Sequence, residues 1–169
     1  GYEHPLRLGG MAVTICRQGN ARVGINLKSY EIAPGDIIVA LPEHLIQINN
    51  KSADFAAGFL MFTRNFLKNL PIDITTTIPT HLNIKDNPVR RLSGQEMKTL
   101  YELFNLLLEK VRVTDHRFRI EITRNILTAA FYELSAMYCE GADLQPGREK
   151  TRHEEIFDRF HNLLAADFK

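Results

Sequence analysis

The sequence contains no tryptophan and only two cysteines, Cys16 and Cys139. Two thiols so far apart in the chain do not form the disulfide framework that stabilises small secreted domains. The chain also lacks an apolar run close to the ~20 residues that a membrane-spanning helix needs, and no secretion signal opens it. We therefore expect a cytoplasmic protein with reduced thiols and no membrane-spanning segment.

An excess of charge of either sign is absent as well, because 21 basic and 20 acidic side chains leave a net charge of +1. A chain that binds nucleic acid by itself needs a clustered basic surface to displace counterions. The balance therefore argues against a nucleic-acid-binding module in these 169 residues. Apolar residues make up 44% of the chain, which is enough for the buried core of one domain.

The N-terminal third carries the period-two pattern of strands. Residues 11–16 and 21–27 each alternate between apolar side chains and small or polar ones. The tripeptide Gln18-Gly19-Asn20 between them predicts a compact hairpin, because Gly and Asn tolerate positive φ. Residues 33–36 predict a tight Pro-Gly turn, and residues 37–41 predict a strand buried on both faces. Such short, closely spaced strands indicate an antiparallel barrel or sandwich.

The next stretch, residues 63–92, contains Pro71, Pro79 and Pro88. Proline removes a backbone donor and clashes with the preceding helical turn. We therefore predict an irregular connection here, with at most one further strand at residues 75–78.

The C-terminal part changes to the helical period. Ser93 and Glu96 fit a capping box, in which the serine side chain accepts from the third helical N–H and the glutamate reaches back. The helix that begins there carries one apolar stripe with steps of three and four residues. We predict a second helix over about 115–139 and a third over about 148–168. The stripe of the first helix consists of Met97, Leu100, Phe104, Leu107 and Val111.

This stripe, widened by neighbouring leucines, is broader than one sheet face requires. In one arrangement the second helix alone covers it. In the other, the same helix of a second subunit covers part of it in a two-fold, isologous contact. The residues alone leave both alternatives open.

The usual signatures of catalysis and metal binding are missing. A metal site needs three or four convergent ligands, whereas His44 has only the adjacent Glu43, and neighbouring strand residues point to opposite faces. Glu154, Asp158 and His161 share one side of the third helix, opposite its apolar stripe, which is typical of a solvated face. No nucleophile elbow and no phosphate-binding glycine loop is present. We expect no enzyme activity, no metal and no cofactor.

A binding pocket remains, because a small barrel can hold one small ligand among its interior side chains. The polar residues of the β region that we expect to orient such a ligand are His44, Tyr30, Arg22 and Arg17. Each also has an ordinary structural interpretation. The two arginines flank a predicted turn, the tyrosine packs, and the histidine ends a strand.

Two segments resemble one family. Residues 30–38, a strand that enters a Pro-Gly-Asp turn and an apolar strand, are followed by Pro42 and His44. This order resembles the cupin-type N-terminal domain of AraC-type transcription regulators. Residues 154–164 resemble the short linker helix that precedes the paired helix-turn-helix motifs of that family, and the two preceding helices stand where the family has its dimerisation hairpin.

The resemblance implies an α+β fold in three parts. A small antiparallel cupin-like barrel of the jelly-roll type would occupy residues 1–80, a connection and dimerisation hairpin residues 81–145, and a linker helix residues 146–169. It implies a homodimer that senses a small-molecule effector and reaches DNA only through a further C-terminal domain. The alternative is a metal-dependent cupin enzyme, but the two close histidines and the glutamate that it needs are missing.

Overall fold

The computed structural model describes residues 4–42 and 44–139, which form eight strands and four helices. The strands are β1 Leu6–Arg7, β2 Gly10–Gln18, β3 Ala21–Ile25, β4 Lys28–Ile32, β5 Asp36–Ala40, β6 Leu45–Lys51, β7 Ala56–Thr63 and β8 Val89–Arg91. The helices are α1 Arg64–Lys68, α2 Ile74–Asp86, α3 Gly94–Arg112 and α4 Arg119–Cys139. None of these helices is long and apolar enough to cross a bilayer. The predicted α+β class is confirmed.

The strands form two antiparallel sheets of four strands each. Sheet A has the order β1-β6-β3-β4, and sheet B has the order β7-β2-β5-β8. The sheets pack face to face through a buried cluster that includes Val23 and Ile25 of sheet A and Cys16 and Ile38 of sheet B. Among the described residues no strand pairing joins one sheet to the other. The arrangement is an open sandwich, so the closed cupin-like barrel is not confirmed.

The turn at Gln18-Gly19-Asn20 does not make the predicted hairpin. Strand β2 before it pairs with β5 and β7, whereas β3 after it pairs with β4 and β6. Gly19 does adopt the left-handed φ of +70° that a reversal needs, but the chain passes there from sheet B to sheet A. Hydrogen bonds to Ser52 in the β6–β7 loop hold the crossing: its N–H donates to Asn20 O at 2.8 Å, and its Oγ accepts from Asn20 N–H at 2.9 Å.

A hairpin that the sequence analysis missed joins β3 to β4. Asn26 and Leu27 lie at φ +47° and +70°, and positive φ at both central residues is what a two-residue type I′ connection requires. The strand predicted over 21–27 therefore ends at Ile25. Leu27 is exposed at the tip and is not part of the apolar face that its alternation suggested.

The Pro-Gly turn predicted at residues 33–36 is confirmed. Gly35 lies at φ +94°, and the N–H of Asp36 donates to the carbonyl of Ala33 at 3.0 Å. The turn leads into β5, which is buried along its whole length because it is a central strand with a layer on each face. The prediction of a strand buried on both sides is confirmed as well.

Helix α2 replaces the irregular connection and the strand at 75–78 that the sequence predicts. It contains Pro79, although proline removes one helical hydrogen bond. Contacts with α4 hold it in place, since the side chain of Asn83 donates to the backbone oxygen of Tyr138 at 2.8 Å. Tertiary packing therefore outweighs the local cost of the proline.

Helices α3 and α4 form the predicted helical hairpin and lie on the face of sheet B that is turned away from sheet A. The capping box is confirmed, with Glu96 N–H donating to Ser93 Oγ at 3.2 Å and Ser93 N–H donating to the Glu96 carboxylate at 2.6 Å. The molecule has three layers, with sheet B in the middle. The core between sheet and helices includes Met11, Ile37, Val39, Leu41, Leu100, Leu134, Met137 and Tyr138.

The predicted boundary at residue 80 falls inside helix α2. Strand β8, beyond that boundary, pairs with β5 and completes sheet B. The β layers therefore use residues on both sides of residue 80. The linker helix predicted over residues 146–169 lies outside the described residues.

Candidate functional site

The polar residues predicted to orient a ligand lie in different parts of the sandwich. Arg22 faces solvent, with its Nε 2.5 Å from the Glu31 carboxylate and its side chain 58% exposed. Tyr30 pairs with Val23 in the neighbouring rung of the ladder, so it points to the opposite face of sheet A. There it packs on the buried cluster between the sheets. Arg22 and Tyr30 therefore do not face one common cavity.

His44 is a buried structural residue at the turn between β5 and β6. Only 6% of its surface is exposed. Its Nδ1 accepts from Leu41 N–H at 3.3 Å, its own N–H donates to Leu41 O at 3.1 Å, and its carbonyl accepts from Leu8 N–H at 3.1 Å. Burial lowers the pKa of the imidazole, and the positive charge of Lys85 lowers it further. The ring is therefore neutral at pH 7 and joins two loop segments.

The space between the sheets is filled by side chains rather than open to a ligand at its centre. Ile25 and Ile32 of sheet A and Cys16 of sheet B are among the most completely buried residues of the described chain. Burial raises the pKa of the Cys16 thiol, which keeps it protonated and unreactive. This part of the molecule is core.

A cavity instead lies between sheet B and the helical hairpin, and we call it the sheet–hairpin cavity. It offers about 60 Å³ to the centre of a water-sized molecule, against the ~10–15 Å³ that one water needs. Its lining exposes no polar atom. Strands β2 and β7 form its floor, and α3 and α4 form its roof. The lining residues are Met11, Val13, Ile15, Leu60, Phe62, Leu100, Leu103, Phe104, Leu107, Ile126, Leu127, Ala130, Phe131 and Leu134.

Arg17 lies near the end of β2, where the pairing with β7 shifts register between Cys16 and Gln18. Its side chain is exposed. Its guanidinium carbon is 5.8 Å from the ring centroid of Tyr101, and Tyr101 lies one helical turn before Phe104 on α3. The contact with Tyr101 places Arg17 on the hairpin side of sheet B, but none of the four residues predicted to orient a ligand is among those that line the sheet–hairpin cavity.

The stripe predicted for subunit pairing points mainly into the same molecule. Leu100 and Leu107 are buried, and Met97 packs against the core between sheet and helices. Phe104 lines the sheet–hairpin cavity. Val111, at the end of the stripe, is 50% exposed. Sheet B and α4 together thus cover most of the stripe, and pairing of subunits stays a prediction.

The sequence analysis did not predict the sheet–hairpin cavity. The alternation at 11–16, which predicts a strand, and the stripe on α3, which predicts packing against the second helix or a second subunit, are the two signals that bear on it. Nothing local indicates that the two surfaces leave a gap when they meet, because the gap depends on the sizes of side chains from four distant elements.

A second group of titratable residues involves helix α2. His81 on α2 is half-buried, and burial together with the positive charges of Lys85 and His44 lowers its pKa to about 4. Across residues 4–42 and 44–139, no set of three or more His, Cys, Asp and Glu side chains is placed to share a metal ion. The lowered pKa keeps the His81 imidazole neutral at pH 7.

In comparisons with known proteins, no protein-family model matches the chain, and no curated protein matches it in sequence. Solved structures do match. Apo ToxT K231A from Vibrio cholerae strain SCE256 superposes with a TM-score of 0.50 at 10% identity, covering 94% of this chain and 58% of that one. The chain has the fold of ToxT. Because ToxT is an AraC-family regulator, the resemblance predicted from the sequence is confirmed at the level of the fold.

Other solved structures superpose on this chain with lower TM-scores. The AraC-like transcriptional activator CuxR has a TM-score of 0.45 at 15% identity, covering 96% of this chain and 54% of that one. Vibrio cholerae O395 ToxT bound to (E)-4-(8-methylnaphthalen-1-yl)but-3-enoic acid has a TM-score of 0.42 at 14% identity, with 80% and 51% covered. The present chain spans about half the length of each of these proteins.

Proposed function

We propose that this chain is the ligand-sensing domain of an AraC-type transcription regulator and that its ligand binds in the sheet–hairpin cavity. The observation that carries the proposal is an entirely apolar cavity between sheet B and the helical hairpin of a ToxT-like fold. ToxT has itself been crystallised with a small organic acid. Apolar pockets with one polar group at the mouth are typical sites for small ligands.

The size of the cavity links binding to a change of shape. Because it has room for only a few water-sized molecules, any ligand of six or more heavy atoms must separate α3 and α4 from sheet B. Such a ligand has a higher affinity for the widened arrangement than for the closed one, and this difference is what shifts the population. The predicted linker segment 146–169 follows α4 in the chain and passes the change to a DNA-binding domain.

Homodimerisation belongs to the same proposal. The hairpin presents several apolar side chains to solvent on the side that does not contact sheet B. A two-fold contact there would leave the sheet–hairpin cavity accessible and would place two DNA-binding domains side by side, which raises their effective concentration at adjacent half-sites. The exposed apolar residues of the hairpin and its turn are Leu106, Val111, Val113, Phe118 and Ile120.

A thermal-unfolding screen of the purified chain against sugars, amines, alcohols and organic acids tests the sensing function. A ligand at a hundred times its Kd stabilises the folded state by ~2.7 kcal/mol, which raises Tm by about 5–10 °C for a chain of this size. We expect one chemical class to produce such a shift. If every class leaves Tm unchanged, the sensing proposal is wrong.

Variants at two neighbouring alanines of α4 locate the site. Ala130 lines the sheet–hairpin cavity, so Ala130→Leu fills it and should abolish the shift. Ala129 is exposed on the same helix, so Ala129→Leu is the matched control and should preserve the shift. Equal responses from the two variants would place the ligand elsewhere.

A further inference from the structure

We propose that two copies of this chain meet at the outer edge of strand β7, and that the two β7 strands pair antiparallel across a two-fold axis. The two four-stranded sheets B would then form one continuous sheet. This inference rests on the proposed function, because it names the contact by which the homodimer forms. It follows from the composition of β7, from the apolar side chains exposed on it and from the position of the helical hairpin.

Strand β7 is an open edge of sheet B. It pairs with β2 along its whole length on one side. On its other side, no strand within residues 4–42 and 44–139 pairs with it. The backbone N–H and C=O groups on that side are therefore available to the strand of another molecule.

The composition of β7 differs from that of the other three edges of the two sheets. Proteins usually protect an exposed edge with charged side chains, with proline or by keeping the strand short. At one edge of sheet A, β4 carries Lys28 and Glu31, whereas β1 at the other edge has only two residues. At the far edge of sheet B, β8 carries Arg90 and Arg91. Residues 56–63 of β7 include no charged residue and no proline, so this long edge has none of these protections.

Two large apolar side chains are exposed on β7. Phe59 is 67% exposed and Met61 is 57% exposed. Both lie on the face turned toward sheet A, because the alternate residues Leu60 and Phe62 line the sheet–hairpin cavity on the other face. In an antiparallel pair centred on Leu60, Phe59 of each protomer lies directly opposite Met61 of the partner subunit and on the same face. This register brings all four exposed side chains together and allows two contacts between sulfur and ring.

The helical hairpin reaches the same edge of the molecule. Leu100 belongs to the buried cluster that includes residues of β5, whereas Leu107 belongs to the cluster that includes Leu60 of β7. Helix α3 therefore runs from the middle of sheet B toward its β7 edge, and the turn to α4 follows there. Together with Phe59 and Met61, the exposed apolar residues of the hairpin and its turn offer about 600 Å² per protomer, close to the ~800 Å² per partner of a standard interface.

Sedimentation equilibrium of the purified chain with single substitutions tests the contact. Met61→Lys places a charge near the centre of the strand pair, so we expect dimerisation at least tenfold weaker than in the parent chain. Phe59→Thr keeps a residue that favours strands and removes the ring, and it should also weaken dimerisation. Leu27→Lys adds the same charge at a fully exposed leucine in the β3–β4 turn of sheet A. This variant is the control and should dimerise as the parent chain does.

Amide hydrogen exchange distinguishes strand pairing from a contact of side chains alone. In an antiparallel pair, every second N–H of the edge strand donates to the neighbouring strand. Raising the protein concentration above the dimer Kd should therefore slow exchange at alternate amides of residues 56–63. Met61→Lys should remove this protection at the same concentration.

The outcomes separate this inference from the function on which it rests. If the parent chain dimerises while residues 56–63 gain no protection, or if Met61→Lys and Phe59→Thr dimerise as tightly as the parent chain, β7 is not the contact and the inference is wrong. A homodimer formed by the hairpin alone then stands if Val111→Lys weakens it. If the parent chain stays monomeric at every concentration, the inference and the homodimer fail together, whereas ligand sensing is decided separately by the thermal-unfolding screen.

Discussion

Acidification should destabilise this protein through His81 before its carboxylates begin to titrate. The pKa of His81 is about 4 in the folded chain, against an ordinary value of 6.5, because burial and the charges of Lys85 and His44 oppose its protonation. Below pH 6.5 the unfolded chain takes up a proton that the folded chain refuses, so stability falls as the pH falls. The difference of 2.5 pKa units corresponds to about 3 kcal/mol at full effect.

At pH 5 the expected loss is about 2 kcal/mol relative to pH 7.5, because the unfolded histidine is then almost fully protonated and the folded one is not. His44, whose pKa is also lowered by burial, adds to the loss in the same direction. Urea unfolding at pH 7.5, 6.5, 5.5 and 5.0 measures it. Working above pH 5 keeps most carboxylates ionised in both states.

The variant His81→Gln isolates the contribution of this one ring. Its stability at pH 7.5 reflects packing, so the informative quantity is the change in unfolding free energy between pH 7.5 and 5.0. We expect that change to shrink by about 2 kcal/mol. His4→Gln removes an exposed histidine and serves as the control. If the unfolding free energy of His81→Gln changes between pH 7.5 and 5.0 as much as that of the parent chain, the reasoning is refuted.

Three further substitutions probe the fold and the predicted pairing. Gly19→Ala places a Cβ against the Ser52 side chain and 2.7 Å from the Phe55 Cα, at a φ of +70°, so urea unfolding should show a loss of about 2 kcal/mol or more; a loss below ~0.5 kcal/mol would contradict the crossing described for this turn. Asp36→Ala leaves the N–H of Ala33 without its 2.8 Å acceptor and should cost about 2 kcal/mol in the same assay, whereas a neutral result would mean that the turn holds without it. Val111→Lys should weaken self-association at least tenfold in sedimentation equilibrium and change the unfolding free energy by less than ~0.5 kcal/mol; unchanged association would exclude the hairpin surface as the contact.

The elements predicted well are those fixed by neighbours in sequence. The capping box of Ser93 and Glu96, the Pro-Gly turn before β5 and the apolar stripe of α3 all depend on residues within a few turns of one another, and all are present. The errors concern partners distant in sequence. The hairpin predicted at Gly19 is wrong, because the sheet that receives the next strand depends on β6 and on the loop at Ser52.

The candidate site could be predicted only in part for the same reason. The sheet–hairpin cavity is made by four elements whose sequences look like ordinary core, and none of the residues predicted to orient a ligand lines it. His44 was expected to orient a ligand because it is one of the polar side chains of the predicted β region. Its burial and its hydrogen bonds to Leu41 and Leu8 depend on loops that meet only in the folded chain.

The middle position of sheet B determines which side of the sheet–hairpin cavity can move when the cavity widens. One face of this sheet rests on sheet A through a tightly filled interface, so the floor beneath a bound molecule is stiff. The roof consists of two helices whose outer sides carry exposed residues such as Leu106 and Tyr132. A bound molecule that needs more room must therefore displace α3 and α4 outward, because sheet A supports sheet B and prevents it from moving.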